Sequence, residues 1–200
     1  MESKFGVGSS NYRTMTQDSY VDTVGIPLYR SRIFQDVGLF DDRLTRNQDD
    51  DFNFRVTQKG YKILYVHAAK ATYLVRGSLK KAFWQFFQYG YFKVFVNKKH
   101  GAVTTWRQVV PALFVAFWAL GIPLAIFVPH FHFALGFVAA LYMTLGILLA
   151  GREETLWSRP QIMLTCLVLH VAYGCGYWAG IWDFLVTNRA PRLAFQRQTT

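Results

Sequence analysis

Charge is missing from two long stretches of this chain. Neither Val109 to Ala150 nor Gln161 to Trp182 contains an Asp, Glu, Lys or Arg. Tracts of that length exclude a protein that is soluble throughout, because a hydrocarbon core about 30 Å thick is crossed by on the order of 20 apolar helical residues. The first tract has room for two spans, broken at Pro129-His130-Phe131-His132, and the second for one. Transmembrane helices are therefore expected at about 109–128, 132–150 and 161–185. Cysteine is nearly absent. Cys166 and Cys175 are the two present, both in the last apolar tract. Nine residues on one helix separate them by about 13 Å, which excludes a bridge and leaves packing as their role. Met1 to Gly6 has no apolar core of the kind a cleavable signal peptide needs, so insertion is assigned to the internal spans.

Acids are scarce relative to bases, 12 against 22, for a net charge of +10. Nucleic acid is not the partner this implies, because the bases are not gathered with stacking aromatics on one soluble face. They flank the spans: Lys80, Lys81, Lys93, Lys98, Lys99 and Arg107 before the first, and Arg189, Arg192 and Arg197 after the last. Anionic lipid headgroups suit that placement. The positive-inside rule puts the N-terminal region in the cytoplasm. Three full crossings would leave the basic tail outside, so either one span is re-entrant or the stronger N-terminal bias prevails.

The charged N-terminal part divides at its glycines. Phe5 to Tyr20, with Gly6-x-Gly8 and Ser9-Ser10-Asn11, reads as a loop. Val21 to Leu28 alternates as a short strand, and Tyr29 to Val37 as a helix with Ser31 as cap and Gly38 as stop. A second helix starts near Asp49, carries Phe52 and Val56 on one face, and stops at Lys59-Gly60. Tyr61 to His67 alternates as a strand. Between Phe83 and Phe95 there are eight aromatic residues with lysines around them, a composition suited to a helix in the headgroup layer.

The second helix opens on Asn47-Gln48-Asp49-Asp50-Asp51-Phe52. One or two acids at a helix mouth are explained by capping and by the helix dipole. Three in succession repel one another, and a like-charged neighbour raises a carboxylate pKa toward values useful to a general base. Asp41, Asp42, Arg43 and Arg46 lie close by in sequence. Elsewhere, His130-x-His132 reads as an interfacial turn and His170 as a helix–helix hydrogen-bonding residue. Gly174, Gly176 and Gly180 provide small-residue spacing for close helix packing. No Ser-His-Asp order, zinc spacing or phosphate-cradling glycine loop is present.

Several blocks together carry a family resemblance. They are Tyr29-Arg30, Val37-Gly38-Leu39-Phe40-Asp41-Asp42, Arg46 through Arg55 and Lys59-Gly60-Tyr61-Lys62-Ile63. In order and spacing, Val24 through Gly101 resembles the acceptor half of inverting family 2 glycosyltransferases, especially the membrane-bound succinoglycan-biosynthesis type. The resemblance implies an α/β fold, the C-terminal part of a GT-A-like domain, followed by an interfacial helix and about three transmembrane helices. The corresponding divisions are 1–77 for the partial catalytic region, 78–108 for the interfacial segment, 109–185 for the spans and 186–200 for the basic tail.

By the same resemblance Asp49 is the base that deprotonates the acceptor hydroxyl. Asp50, Asp51, Gln85, Gln88 and Tyr89 are acceptor- or donor-binding residues. Gln48 stands where the family has Glu. In Gln85-Phe86-Phe87-Gln88-Tyr89, Gln88 and Tyr89 replace the Arg and Trp of the family's Gln-x-x-Arg-Trp, which favours single addition over processive synthesis. The implied partners are a nucleotide-sugar donor, a lipid-linked or growing saccharide acceptor and membrane lipids, with no nucleic acid. The implied cofactor is a divalent cation, Mg or Mn, whose Asp-x-Asp belongs to a donor-binding half not found in these 200 residues. A donor-binding subunit or segment is then required, and the chain is expected to be inactive alone, at the bacterial inner membrane. The other reading is a non-catalytic anchor or partner subunit that retains part of the fold.

Overall fold

The computed structural model describes residues 15–69, 77–103, 106–149 and 159–196. The Gly6-x-Gly8 loop, the C-terminal end of the expected second span at 150 and Arg197 of the tail lie outside these residues. The elements are β1 (Ser19–Val21), α1 (Ser31–Val37), α2 (Gln48–Gln58), β2 (Ile63–Tyr65), α3 (Leu79–His100), α4 (Val110–Phe127), α5 (Phe131–Leu149), α6 (Arg159–Gly180) and α7 (Leu193–Gln196). A six-residue π-helical turn, Ile181–Val186, continues α6. Helices dominate, and the sheet among the described residues is one antiparallel pair in which Ser19 faces Tyr65 and Val21 faces Ile63. The α/β expectation is met only in that reduced form.

The strand expected at Val21–Leu28 is a correction: the strand is Ser19–Val21, and the backbone beyond it has another use. Asn53 Nδ2 donates to Thr23 Oγ1 at 2.8 Å and to the Val24 carbonyl at 3.2 Å, so this stretch is tied to α2 rather than to a ladder. Ser31 is the first residue of α1 and not its cap, a position taken by Arg30 with no side-chain cap bond. The stops hold. Gly38 and Gly60 have φ of 87° and 82°, a region in which only glycine is unstrained.

Among the described residues, three helices are long and apolar enough to cross a membrane: Val110–Phe127, Phe131–Leu148 and Arg159–Val186. They match the expected spans to within a few residues. Cys166 and Cys175 are free thiols. The glycines of α6 do what their spacing implies. A Cβ on Gly176 would sit 2.0 Å from the Phe87 carbonyl oxygen, and one on Gly174 would sit 2.3 Å from that of Pro111. From the other side, a Cβ on Gly90 would lie 2.1 Å from the Tyr173 carbonyl oxygen. Backbones therefore touch, and α6 serves as the spine on which both α3 and α4 pack. His170 Nδ1 and the Tyr142 hydroxyl share a hydrogen bond of 2.8 Å that joins α6 to α5.

Two apolar clusters result. A small one, Phe52, Val56 and Ile63 with Tyr29, Phe34 and Val37 packed against it, seats α2 on α1 and β2. The larger one gathers α3, α6 and the π-turn around Tyr91, Phe92, Val96, Ala172 and Phe184.

Candidate functional site

Asn47 begins the site. It sits in the left-handed region with φ of 60°, a conformation that asparagine tolerates far better than branched residues do. Its side-chain amide is not spent on capping α2. Nδ2 donates instead to the Tyr89 carbonyl of α3 at 2.9 Å. One residue earlier, Arg46 Nε donates to Gln88 Oε1 at 3.1 Å, and the guanidinium lies over the Tyr89 ring, 5.7 Å from its centre. The mouth of the acidic helix is thus fastened to the middle of α3.

The three acids then diverge. Asp51 is wholly buried, paired with the cations Arg55 at 3.1 Å and Lys99 at 2.9 Å and hydrogen-bonded with His100 Nε2 at 2.9 Å. Arg55 also donates to the carbonyls of Val37 and Leu39, so Asp51 organises the turn after α1 as well as the end of α3. Asp50 pairs with Lys93 Nζ at 2.7 Å and accepts from Thr23 Oγ1 at 3.3 Å. Lys93 is only 7% exposed, so this pair is shielded from water on the lysine side.

Asp49 makes no ion pair among the described residues and remains partly exposed. Burial of its carboxyl pushes its proton affinity above the usual carboxylate range, and the negative charge of Asp50 adds to the effect. The backbone N–H groups of Asp50 and of Asp49 itself, and the more distant Lys93, pull it partly back. Behind it, the Tyr29 hydroxyl donates to Asn53 Oδ1 at 2.5 Å, and its pKa is pushed up to about 12, chiefly by burial and then by the Asp49 charge. Of the three acids, Asp49 is the one that carries no ion pair among the described residues, and its proton affinity is raised.

Gln85 and Tyr89 bond to each other, with Gln85 Nε2 donating to the Tyr89 hydroxyl at 3.0 Å. Gln88 is buried between Arg46 and the chain's end, its Nε2 donating to the Phe195 carbonyl at 3.0 Å. The predicted residues Asp49, Asp50, Gln88 and Tyr89 are therefore brought to one junction by Arg46, Asn47 and Lys93. Asp51 and Gln85 face inward beside it.

Lys93, Lys98 and Lys99 depart from the expected lipid-facing role. Lys93 pairs with Asp50, Lys99 bridges Asp41 and Asp51, and Lys98 Nζ donates to the Phe184 carbonyl at 2.6 Å and to Asn188. For Lys93 the signal was in the sequence. Gln85, Tyr89, Lys93 and Asn97 recur every four residues on α3, a polar stripe on a helix otherwise crowded with aromatics.

The donor set does not suit a divalent cation. Asp50 and Asp51 are already engaged by cations, and no group of three or more His, Cys, Asp or Glu ligands occurs among the described residues. The metal implied by the resemblance is thus not held by these residues.

No family model matches the chain. A curated relative does, the succinoglycan biosynthesis protein ExoA of Rhizobium meliloti (strain 1021), 30% identical over 182 residues. The chain is similar to a succinoglycan biosynthesis protein. The match takes in 91% of this chain and 54% of the relative, so the chain spans about half the length of the protein it matches. No solved structure matches. The relative's name agrees with the resemblance drawn from the residues of Val24 to Gly101.

Proposed function

We propose that this chain is the acceptor-side and membrane portion of an inverting glycosyltransferase of exopolysaccharide biosynthesis, with Asp49 as its base. The observation that carries this reading is the partition of the acidic run: Asp50 and Asp51 are held by cations, and Asp49 alone combines a raised proton affinity with partial exposure. In the reaction, Asp49 Oδ accepts the proton of the acceptor hydroxyl as its oxygen attacks the anomeric carbon. The bond from that carbon to the nucleotide diphosphate breaks in the same displacement, and configuration inverts. One carboxylate suffices, with no covalent intermediate.

The acceptor is a lipid-linked or growing saccharide, for which Tyr89 offers a ring face, with Gln88 holding Arg46 beside it. The donor is a nucleotide-sugar, bound together with its divalent cation by a donor-binding half that this chain requires for activity. The apolar helices hold the site at the bacterial inner membrane with the N-terminal region in the cytoplasm, where nucleotide-sugars are made available.

The test is sugar transfer from radiolabelled nucleotide-sugars in membranes containing this chain alone, the chain joined to a donor-binding half, or the joined form with Asp49→Asn. Transfer is expected only in the joined wild type. Undiminished transfer by Asp49→Asn would sink the base assignment. Silence in all three membrane preparations would favour a non-catalytic anchor.

A further inference from the structure

The C-terminal segment returns to the site from the far end of the chain. The π-helical turn Ile181–Val186 aims Asp183 and Phe184 into the protein, where Asp183 is 0% and Phe184 1% exposed. Such turns interrupt the regular ladder and are frequent where a side chain has been re-aimed for a purpose. Asp183 is met by two donors. The Tyr91 hydroxyl donates a hydrogen bond to Oδ2 at 2.7 Å, and Arg192 Nη2 donates to Oδ1 at 2.6 Å. The Arg192 backbone N–H closes the ring by donating to the Tyr91 oxygen at 3.2 Å. This node fixes α7 against α3, with the Phe195 ring 4.9 Å from the centres of both Phe87 and Tyr91.

The consequence reaches Gln88. A primary amide presents one acceptor edge and one donor edge. Phe195 offers a carbonyl to Gln88 Nε2, and Arg46 offers an N–H to Gln88 Oε1. Turning the amide over would set oxygen against oxygen at Phe195 and N–H against N–H at Arg46. The tail therefore decides which edge Gln88 shows to Arg46, and Arg46 lies on the turn three residues ahead of Asp49.

We propose that residues 187–196 are an internal clamp of the site, in which Arg192 and Phe195 are positioning residues that set the Gln88 amide and, through it, Arg46. This inference rests on the reading of Asp49, Gln88 and Tyr89 as the acceptor site. It assigns the tail a part in acceptor binding and none in proton transfer.

The experiment uses the chain together with its donor-binding half in membranes, with Arg192→Met, Gln88→Ala and the double variant. Arg192→Met is expected to raise KM for the saccharide acceptor about tenfold, the scale of one lost charged hydrogen bond, with kcat within about twofold. Arg192→Lys restores most of it. In the Gln88→Ala background Arg192→Met adds nothing further, since the group it acts through is gone. An equal loss in both backgrounds, or an unchanged KM, overturns the proposal. A second readout needs no activity: a spin label on Leu193→Cys, in a chain whose Cys166 and Cys175 are alanine, is expected to be immobile in the parent and in Asp49→Asn, and mobile in Arg192→Met. An immobile label in Arg192→Met refutes the clamp. Transfer that survives Asp49→Asn refutes the base assignment instead, and the two failures are thereby told apart.

Discussion

Replacing Gly176 by alanine should unseat α3 from α6, and the expected size follows from backbone geometry. The added Cβ would lie 2.0 Å from the Phe87 carbonyl oxygen, 2.8 Å from its carbon and 3.0 Å from the Phe87 Cα. Ordinary carbon–oxygen contacts between helices are about 3.3–3.6 Å, so the helices must part by about 1.3–1.6 Å. Backbone cannot swing aside as a side-chain tip can. A radial gap of even about 0.5–1 Å forfeits a quarter to a half of the dispersion energy of each contact that opens. Overpacking of this kind costs about 1–3 kcal/mol or more. The better helix propensity of alanine returns about 1 kcal/mol, so a backbone clash at the upper end of that range leaves a net loss of about 2 kcal/mol. Gly90→Ala, with its Cβ 2.1 Å from the Tyr173 carbonyl oxygen, should behave alike. Gly136→Ala is the control, because nothing lies within 4 Å of its Cβ. Gly121→Ala belongs between them, since its nearest neighbour at 2.9 Å is the end of the Leu135 side chain. Chemical unfolding of the four variants in one detergent, followed by tryptophan fluorescence, ranks them. If Gly176→Ala proves as stable as Gly136→Ala, the close approach of α3 to α6 is not as described.

Opposite shifts are expected from the two charges beside Asp49. Asp50→Asn removes a charge that raises the Asp49 pKa, so the acid limb of kcat/KM moves to lower pH. Lys93→Met removes one that lowers it and leaves Asp50 unbalanced, so the limb moves to higher pH; movement of both in one direction would contradict the assignment. Asp51→Ala should cost about 3 kcal/mol of folding stability, because it removes the fully buried carboxylate that Arg55, Lys99 and His100 share; Asp49→Asn, read in the same unfolding assay, should stay near wild type. The tail touches α3, which precedes the first span, so the described N-terminal region and the segment 187–196 should lie on one side of the membrane. Impermeant thiol reagents should label Ile26→Cys and Leu193→Cys from the same side, whereas labelling from opposite sides would require three full crossings.

The uncharged tracts, the stops at Gly38 and Gly60 and the acidic opening of α2 were legible because each depends on local chemistry: hydropathy over a span, a positive φ that only glycine adopts without strain, a charge at a helix end. The small-residue spacing of Gly174, Gly176 and Gly180 foretold close packing, although not its partners. Val21 to Leu28 misled because alternation marks a strand only if a neighbour completes the ladder, and Asn53 claims that backbone instead.

Taken alone, the sequence determined which segments suit a membrane, where helices end, and that three acids stand together beside the apolar part. Only the tertiary structure decided how those acids differ. Lys93, Lys99 and His100 lie more than 40 residues further along the chain, and composition read the lysines as lipid-facing. A carboxylate's proton affinity is set by burial and by charges within a few ångströms, and those distances exist only once α3 has packed between α2 and α6. The same packing brings Arg192 and Phe195, from the last described segment, to Tyr91 and Gln88.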